Sequence, residues 1–172
     1  SANPVSINVT GKPVPVIVIT VAGDVHLVGG TVTITATVDG VANVPVNITV
    51  DGNAYPDGGF VVDHNGTYNV VASTVENATH AAGYSSTTFT VVKNESRIDS
   101  VVASGEVLVG NNVTVNVTMV EGITSGTVLI EINGTNYTVA VGSDGNASLS
   151  VALGVGNYSA NVYYVENDRF NG

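Results

Sequence analysis

Thr31-Val32-Thr33-Ile34-Thr35-Ala36-Thr37-Val38 is the stretch that decides the fold. Successive side chains of an extended chain point to opposite faces. Val32, Ile34, Ala36 and Val38 therefore fall on one side, and Thr31, Thr33, Thr35 and Thr37 on the other. Such a strand belongs to a sheet with one face in a core and one in water. The pattern returns at Asn112-Val113-Thr114-Val115-Asn116-Val117-Thr118-Met119, where Val113, Val115, Val117 and Met119 oppose Asn112, Thr114, Asn116 and Thr118.

The return is part of a longer repetition. Leu27-Val28-Gly29-Gly30-Thr31-Val32 recurs as Leu108-Val109-Gly110-Asn111-Asn112-Val113, and Val46-Asn47-Ile48-Thr49-Val50-Asp51-Gly52 as Val128-Leu129-Ile130-Glu131-Ile132-Asn133-Gly134. Gly66-Thr67-Tyr68 recurs as Gly156-Asn157-Tyr158, and Val75-Glu76-Asn77 as Val165-Glu166-Asn167. The order is kept while the offset drifts from 81 (Leu27 to Leu108) to 90 (Gly66 to Gly156), as loop insertions would make it. A repeat of about 80 residues is a tandem domain, too long for a solenoid unit.

Asp39-Gly40, Asp51-Gly52, Asn65-Gly66, Asn133-Gly134 and Asp144-Gly145 separate the strands. Asx-Gly pairs supply the positive φ angles of tight hairpins. Short alternating strands with turns at this spacing predict an all-β chain of two tandem immunoglobulin-like β-sandwich domains. Asp63-x-x-Gly66-x-Tyr68 and Leu153-x-x-Gly156-x-Tyr158 have the form of a tyrosine corner, whose hydroxyl pins a Greek-key crossover to nearby backbone. The expected organisation is a leading strand or linker over 1–13, domain 1 over 14–92, a linker over 93–97 and domain 2 over 98–172.

Composition agrees. Apolar residues make up 44% of the chain, charged residues only 10% and aromatics 6%. Val and Thr favour strands, while Gly and Asn suit turns. The net charge of −10 argues against nucleic acid and anionic membrane surfaces, which need basic patches. No cysteine is present, which removes disulfides, thiolate metal sites and cysteine nucleophiles. The longest apolar run, 14–22, is too short for membrane insertion and is broken by Pro15. No signal peptide opens the sequence, so an exported protein of this kind would be an internal piece of a longer precursor.

Eleven asparagines sit in Asn-x-Ser/Thr: Asn8, Asn47, Asn65, Asn77, Asn94, Asn112, Asn116, Asn133, Asn136, Asn146 and Asn157. Composition alone gives about 3.5 such triplets, and the triplet is the acceptor of N-glycosylation. Thr- and Asn-rich strands also generate it by accident. Asn8, Asn65, Asn94 and Asn146 fall in expected turns or linkers and are the first candidates for glycans.

The succession Leu-Val-Gly, alternating Val/Thr, Gly-x-Tyr and a Glu/Asp/Asn-rich loop resembles bacterial Ig-like repeats. It looks most like those of adhesin-like cell-surface proteins from methanogenic archaea. Val165-Glu166-Asn167-Asp168-Arg169-Phe170-Asn171-Gly172 is the best single match; the first copy keeps Glu76-Asn77 and has His80 near the aromatic position. The resemblance covers roughly 14–172. It implies an extracellular, surface-anchored rod.

Chemistry has little to work with. His26, His64 and His80 lack metal-ligand spacing, and the second copy has no histidine. No nucleophile elbow, phosphate loop or dinucleotide fingerprint occurs, so no enzyme is expected. Most acids lie beside turn glycines or between the domains, where solvation explains them. Calcium is the one metal they would suit, at Glu76, Asn77, Glu95 and Asp99 near the junction or at Glu166, Asn167 and Asp168; no EF-hand loop is present. A Lys-Asn isopeptide staple needs a buried lysine, whereas Lys12 and Lys93 fall in expected linkers and read as surface residues.

The leading functional expectation is a structural and adhesive module, a stalk or attachment repeat whose partner is another cell's surface or a surface glycan or protein. The alternative is a carbohydrate- or ligand-binding module. Such modules display aromatic platforms, and here Tyr163-Tyr164 is the only adjacent aromatic pair, one side chain inward and one outward. Thr87-Thr88-Phe89-Thr90-Val91-Val92 reads as a final strand with Phe89 and Val91 inward, and the second copy stops where its counterpart would begin. Val5-Ser6-Ile7-Asn8-Val9-Thr10 alternates likewise and precedes Lys12 much as Phe89 and Val91 precede Lys93. An orphan strand and an open edge predict strand exchange between fragments, with the two ends expected too far apart to pair within one molecule.

Overall fold

The structure is a computed structural model that describes residues 3–23, 25–42 and 44–172. It is all-β, with no helix among the described residues. The chain divides into two compact units, 1–92 and 93–172.

Unit 1 contains β1 (Ile17–Val21), β2 (His26–Leu27), β3 (Thr31–Val32), β4 (Ile34–Val38), β5 (Asn47–Val50), β6 (Asn53–Ala54), β7 (Phe60–Val61), β8 (Gly66–Thr74) and β9 (Gly83–Val92). A five-stranded sheet runs β2-β9-β8-β5-β6, with β2 parallel to β9 and the other pairs antiparallel. Against it lie the antiparallel pairs β1-β4 and β3-β7. The 31–38 stretch is thus split at Thr33, where the chain changes partner. Its alternation is real: Val32, Ile34 and Val38 are buried and Thr31, Thr33 and Thr35 exposed. Val32 and Ile34 meet Val50, Tyr68, Val70, Phe89 and Val91 from the facing sheet in one cluster, and Ile17 and Val38 meet Ala72 in another.

Unit 2 contains β10 (Ile98–Ala103), β11 (Asn112–Met119), β12 (Thr127–Ile132), β13 (Thr135–Ala140), β14 (Asn146–Ala152) and β15 (Ala160–Val165). Two antiparallel sheets, β10-β11-β14 and β13-β12-β15, pack through Val115, Val117, Met119 and Ala147 on one side and Val128, Ile130, Ile132 and Tyr164 on the other. Each aliphatic side chain taken fully out of water contributes about 1.5–3 kcal/mol. No buried polar or charged residue interrupts either core among the described residues.

The units share a plan. β10-β11 corresponds to β1-β4, β14 to β7, β12-β13 to β5-β6 and β15 to β8. Asp39-Gly40, Asp51-Gly52 and Asn133-Gly134 form two-residue hairpins with positive φ at both positions, as their sequences demand. At Asn65-Gly66 and Asp144-Gly145 only the glycine has positive φ, so these are not hairpins of that kind. Residues 3–16 take part in no ladder, and Val5, Ile7 and Val9 are exposed. The expected leading strand is therefore not formed: alternation supplies the tendency, but a strand needs a partner to bond.

Candidate functional site

Two loops built to one design are the most specific local structures. In unit 1 the Asn77 side-chain oxygen accepts the backbone N–H of Thr79 and His80 at 2.9 and 2.8 Å. In unit 2 the Asn167 oxygen accepts those of Arg169 and Phe170 at the same distances. This Asx turn closes with a main-chain bond, Asn77 N to His80 O and Asn167 N to Phe170 O, each 3.0 Å. The neighbouring glutamate is taken by a lysine from the start of the unit: Lys12 to Glu76 and Lys93 to Glu166, both 2.6 Å. Lys12 Nζ also donates to the Asn77 carbonyl at 2.8 Å.

Main-chain bonds tie the loop to the same leading segment. Ala81 N donates to Pro13 O at 3.0 Å, and Asn171 N to Asn94 O at 2.9 Å. Lysine, glutamate and asparagine thus clasp the beginning of each unit to its last loop. The residues read as a linker, Lys93 to Arg97, are built into unit 2: Asn94 bridges Phe170 in parallel, and Arg97 O accepts Val120 N. Lys93 is correspondingly no free surface lysine, its side chain being only 19% exposed.

The clasp also engages several of the calcium candidates. Glu76 and Glu166 hold lysines, and Asn77 and Asn167 accept backbone N–H groups. The Glu95 carboxylate accepts Asn171 Nδ2 at 2.7 Å. Asp99 and Asp168 are exposed. No group of three or more His, Asp or Glu poised to hold a metal occurs among the described residues.

Both tyrosine corners form. Tyr68 donates to the His64 carbonyl at 3.0 Å and Tyr158 to the Gly154 carbonyl at 3.1 Å, each four residues back. They differ in burial: Tyr68 is 3% exposed and Tyr158 41%. Around Tyr68, the His64 ring stacks at 4.7 Å and its Nδ1 lies 2.6 Å from Asp63 Oδ1. The His64 hydrogen bond, foremost, holds the Asp63 carboxyl below its ordinary value, and burial pushes the Tyr68 phenol up. His26 meets Phe89 edge-on at 5.0 Å, and His80 lies 3.8 Å from Asp39. Tyr164 is buried and Tyr163 exposed, as period two requires.

Of the eleven sequon asparagines, ten are exposed and Asn94 is half-buried. Asn8 and Asn65 lie outside strands, whereas Asn146 opens β14. On β11, Asn112 donates to Ser150 at 3.0 Å and Asn116 accepts Ser148 at 2.7 Å across the outward face. The Asn94 amide donates to the Arg169 carbonyl at 3.2 Å and the Asn146 amide to Asp144 Oδ2 at 3.0 Å.

The sequence matches no protein-family model and no curated protein.

Proposed function

We propose that this chain is a structural and adhesive module of a cell-surface, adhesin-like protein, acting outside the cell as a stalk or attachment repeat. One observation carries the reading: eleven sequons, an excess over composition, have no asparagine in a core. An asparagine belongs outside a core on any reading, so the weight lies in the excess over the roughly 3.5 triplets that composition gives, and exposure leaves those sites within reach of a transferase. Here the cores are apolar and the sequons sit on the wetted faces, turns and leading segment. Asn8, Asn65, Asn94 and Asn146 are the first acceptors, and the partner is another cell's surface or a glycan or protein on it.

An antibody raised against the chain should label intact, unpermeabilised source cells. Native material should weigh more than its amino-acid sequence. Labelling only after permeabilisation, with the bare sequence mass, would overturn the reading.

A further inference from the structure

One backbone design serves both clasped loops, but their side chains differ. Val75-Glu76-Asn77-Ala78-Thr79-His80 aligns with Val165-Glu166-Asn167-Asp168-Arg169-Phe170. Asn77-Ala78-Thr79 is an acceptor triplet and Asn167-Asp168-Arg169 is not. In both loops the asparagine oxygen accepts two backbone N–H groups, at 2.9 and 2.8 Å. In the first, the Thr79 hydroxyl also lies 3.1 Å from that oxygen, shared with His80 Nδ1 at 2.9 Å.

The amide nitrogens differ as well. Asn167 Nδ2 donates to the Tyr164 hydroxyl at 2.9 Å. The repeat puts Thr74 in the place of Tyr164, and this shorter side chain is taken by Gly83, whose N–H donates to Thr74 Oγ1 at 3.0 Å. Asn77 Nδ2 makes no hydrogen bond among the described residues. Residues 75–79 are exposed and belong to no ladder. Asn77 borders a groove of about 500 Å³ with Pro15, Val41, Val44, Pro45 and Val75, which leaves room for an incoming sugar.

We propose that Asn77 is a glycan acceptor that the folded chain itself presents, its substrate being a sugar carried on a lipid-linked phosphate; the proposal rests on the surface reading above. An amide nitrogen is a weak nucleophile because its lone pair is spread onto the oxygen. Donors fixed on that oxygen stabilise the charge it takes when the nitrogen gives up a proton. A base of the transferase takes one Nδ2 proton, and the nitrogen bonds to the anomeric carbon of the sugar. The bond from that carbon to the phosphate oxygen breaks, and the lipid phosphate leaves with the electron pair. Asn77 enters this step with its oxygen already held and its nitrogen free. Asn112 and Asn116 lie in the ladder of β11 with β14. An extended chain there cannot turn the asparagine oxygen onto the N–H of its own threonine.

The test starts from unglycosylated, folded chain. It is treated with a lipid-linked oligosaccharide and an oligosaccharyltransferase that accepts the plain Asn-x-Ser/Thr triplet, and each site is followed by mass spectrometry. Asn77 should be modified faster than Asn112 and Asn116, and its lead should vanish when the same triplets are offered as short peptides. Thr74→Tyr leaves the triplet intact and restores the hydroxyl that covers the amide in the second loop. It should slow Asn77 by about two- to ten-fold, the worth of one neutral hydrogen bond. The second loop gives the converse, independent of how Thr74→Tyr folds. Arg169→Thr makes a triplet at Asn167, and adding Tyr164→Phe, which frees the amide, should speed its modification by a similar factor. Asn77 no faster than Asn112 in the folded chain, or no gain from Tyr164→Phe, would overturn the proposal. A folded chain modified at Asn65 and never at Asn77 would overturn it too, and leave the surface reading standing. Asn77 modified in vitro while native material keeps the bare sequence mass would uphold the acceptor and overturn the surface reading.

Discussion

Replacing Tyr68 and Tyr158 in turn by phenylalanine separates the chemistry of a tyrosine corner from its burial. Both hydroxyls donate to a carbonyl four residues back at nearly equal length, 3.0 and 3.1 Å. The Tyr68 hydroxyl also lies 3.4 Å from the His64 amide nitrogen and 3.3 Å from Asp63 Oδ1. A neutral hydrogen bond contributes about 0.5–1.5 kcal/mol net, and more of it is lost where water cannot replace the missing partner. Tyr68 is 3% exposed and Tyr158 41%. Tyr68→Phe should therefore cost about 1–1.5 kcal/mol and Tyr158→Phe about 0.5 kcal/mol. Native-state hydrogen exchange on the intact chain gives each unit its own reporter. The slowest amides of β8 should exchange roughly five to ten times faster in the first variant. Those of β12 should speed up by only about two-fold in the second. Equal effects, or a larger one at Tyr158, would refute the argument that burial sets the magnitude. The same variant tests the ionisation: the raised Tyr68 phenol favours the folded state below the ordinary value of 10.0, and that contribution disappears as pH rises through the folded value. The latest-rising phenolate absorbance should vanish in Tyr68→Phe.

Further outcomes follow from the clasps, turns and sequons. Lys93→Met should destabilise unit 2 by up to about 1 kcal/mol and Lys12→Met unit 1 by less. The reason is that the Lys93 side chain is 19% exposed and that of Lys12 41%. Urea titration at low and high salt should find both effects reduced by salt. The Asn146 side-chain amide, then its backbone N–H, hold the Asp144 carboxyl below its ordinary 3.8. Its support for the turn is present above that value and lost as pH falls through the folded one; carbon-13 titration of Asp144 should show a midpoint below 3.8. Gly126 has φ +100°, and a Cβ there would collide with the Tyr164 hydroxyl, which donates to the Ser125 carbonyl. Gly126→Ala should cost at least about 2 kcal/mol, read as a lowered melting temperature of unit 2. Glycopeptide mapping of native material should find Asn65 more fully occupied than Asn94, whose amide is engaged by Arg169 O.

Local features were legible in the sequence where local physics decides them. Period two assigned Val32, Ile34, Phe89 and Val91 inward and sent Tyr163 and Tyr164 to opposite faces without saying which was which, because a strand leaves a side chain only two directions. Three Asx-Gly pairs gave their hairpins because residues at positive φ are few. Gly-x-Tyr located both corners, since their bond spans four residues. The clasp escaped because Lys12 meets Glu76 and Lys93 meets Glu166 across 64 and 73 residues of chain. Repetition of Glu-Asn with one lysine opening each copy was the available signal. The break at Thr33 was invisible for a different reason: one alternating stretch serves two ladder partners, and alternation does not name partners.

The two copies act as controls for one another. Val28 and Val109 occupy the same place in a repeated Leu-Val-Gly, yet one is buried and the other 69% exposed. The residue type is identical, so what differs is the strand beside it. Burial here belongs to the completed ladder rather than to the residue. The outward faces of unit 2 hold Asn112, Asn116, Ser148 and Ser150 on one sheet and Glu131, Asn136 and Asn161 on the other. Such polar faces, several of them glycan acceptors, are poorly suited to stacking sheet on sheet. Exposed aliphatic side chains remain beside them, Val102 opposite Asn116 on the first sheet and Leu108, Val109 and Val155 around the groove near β15. A Val-rich composition is therefore compatible with a wetted surface, because alternation sends most of its apolar side chains inward and Asn, Ser and Thr outward.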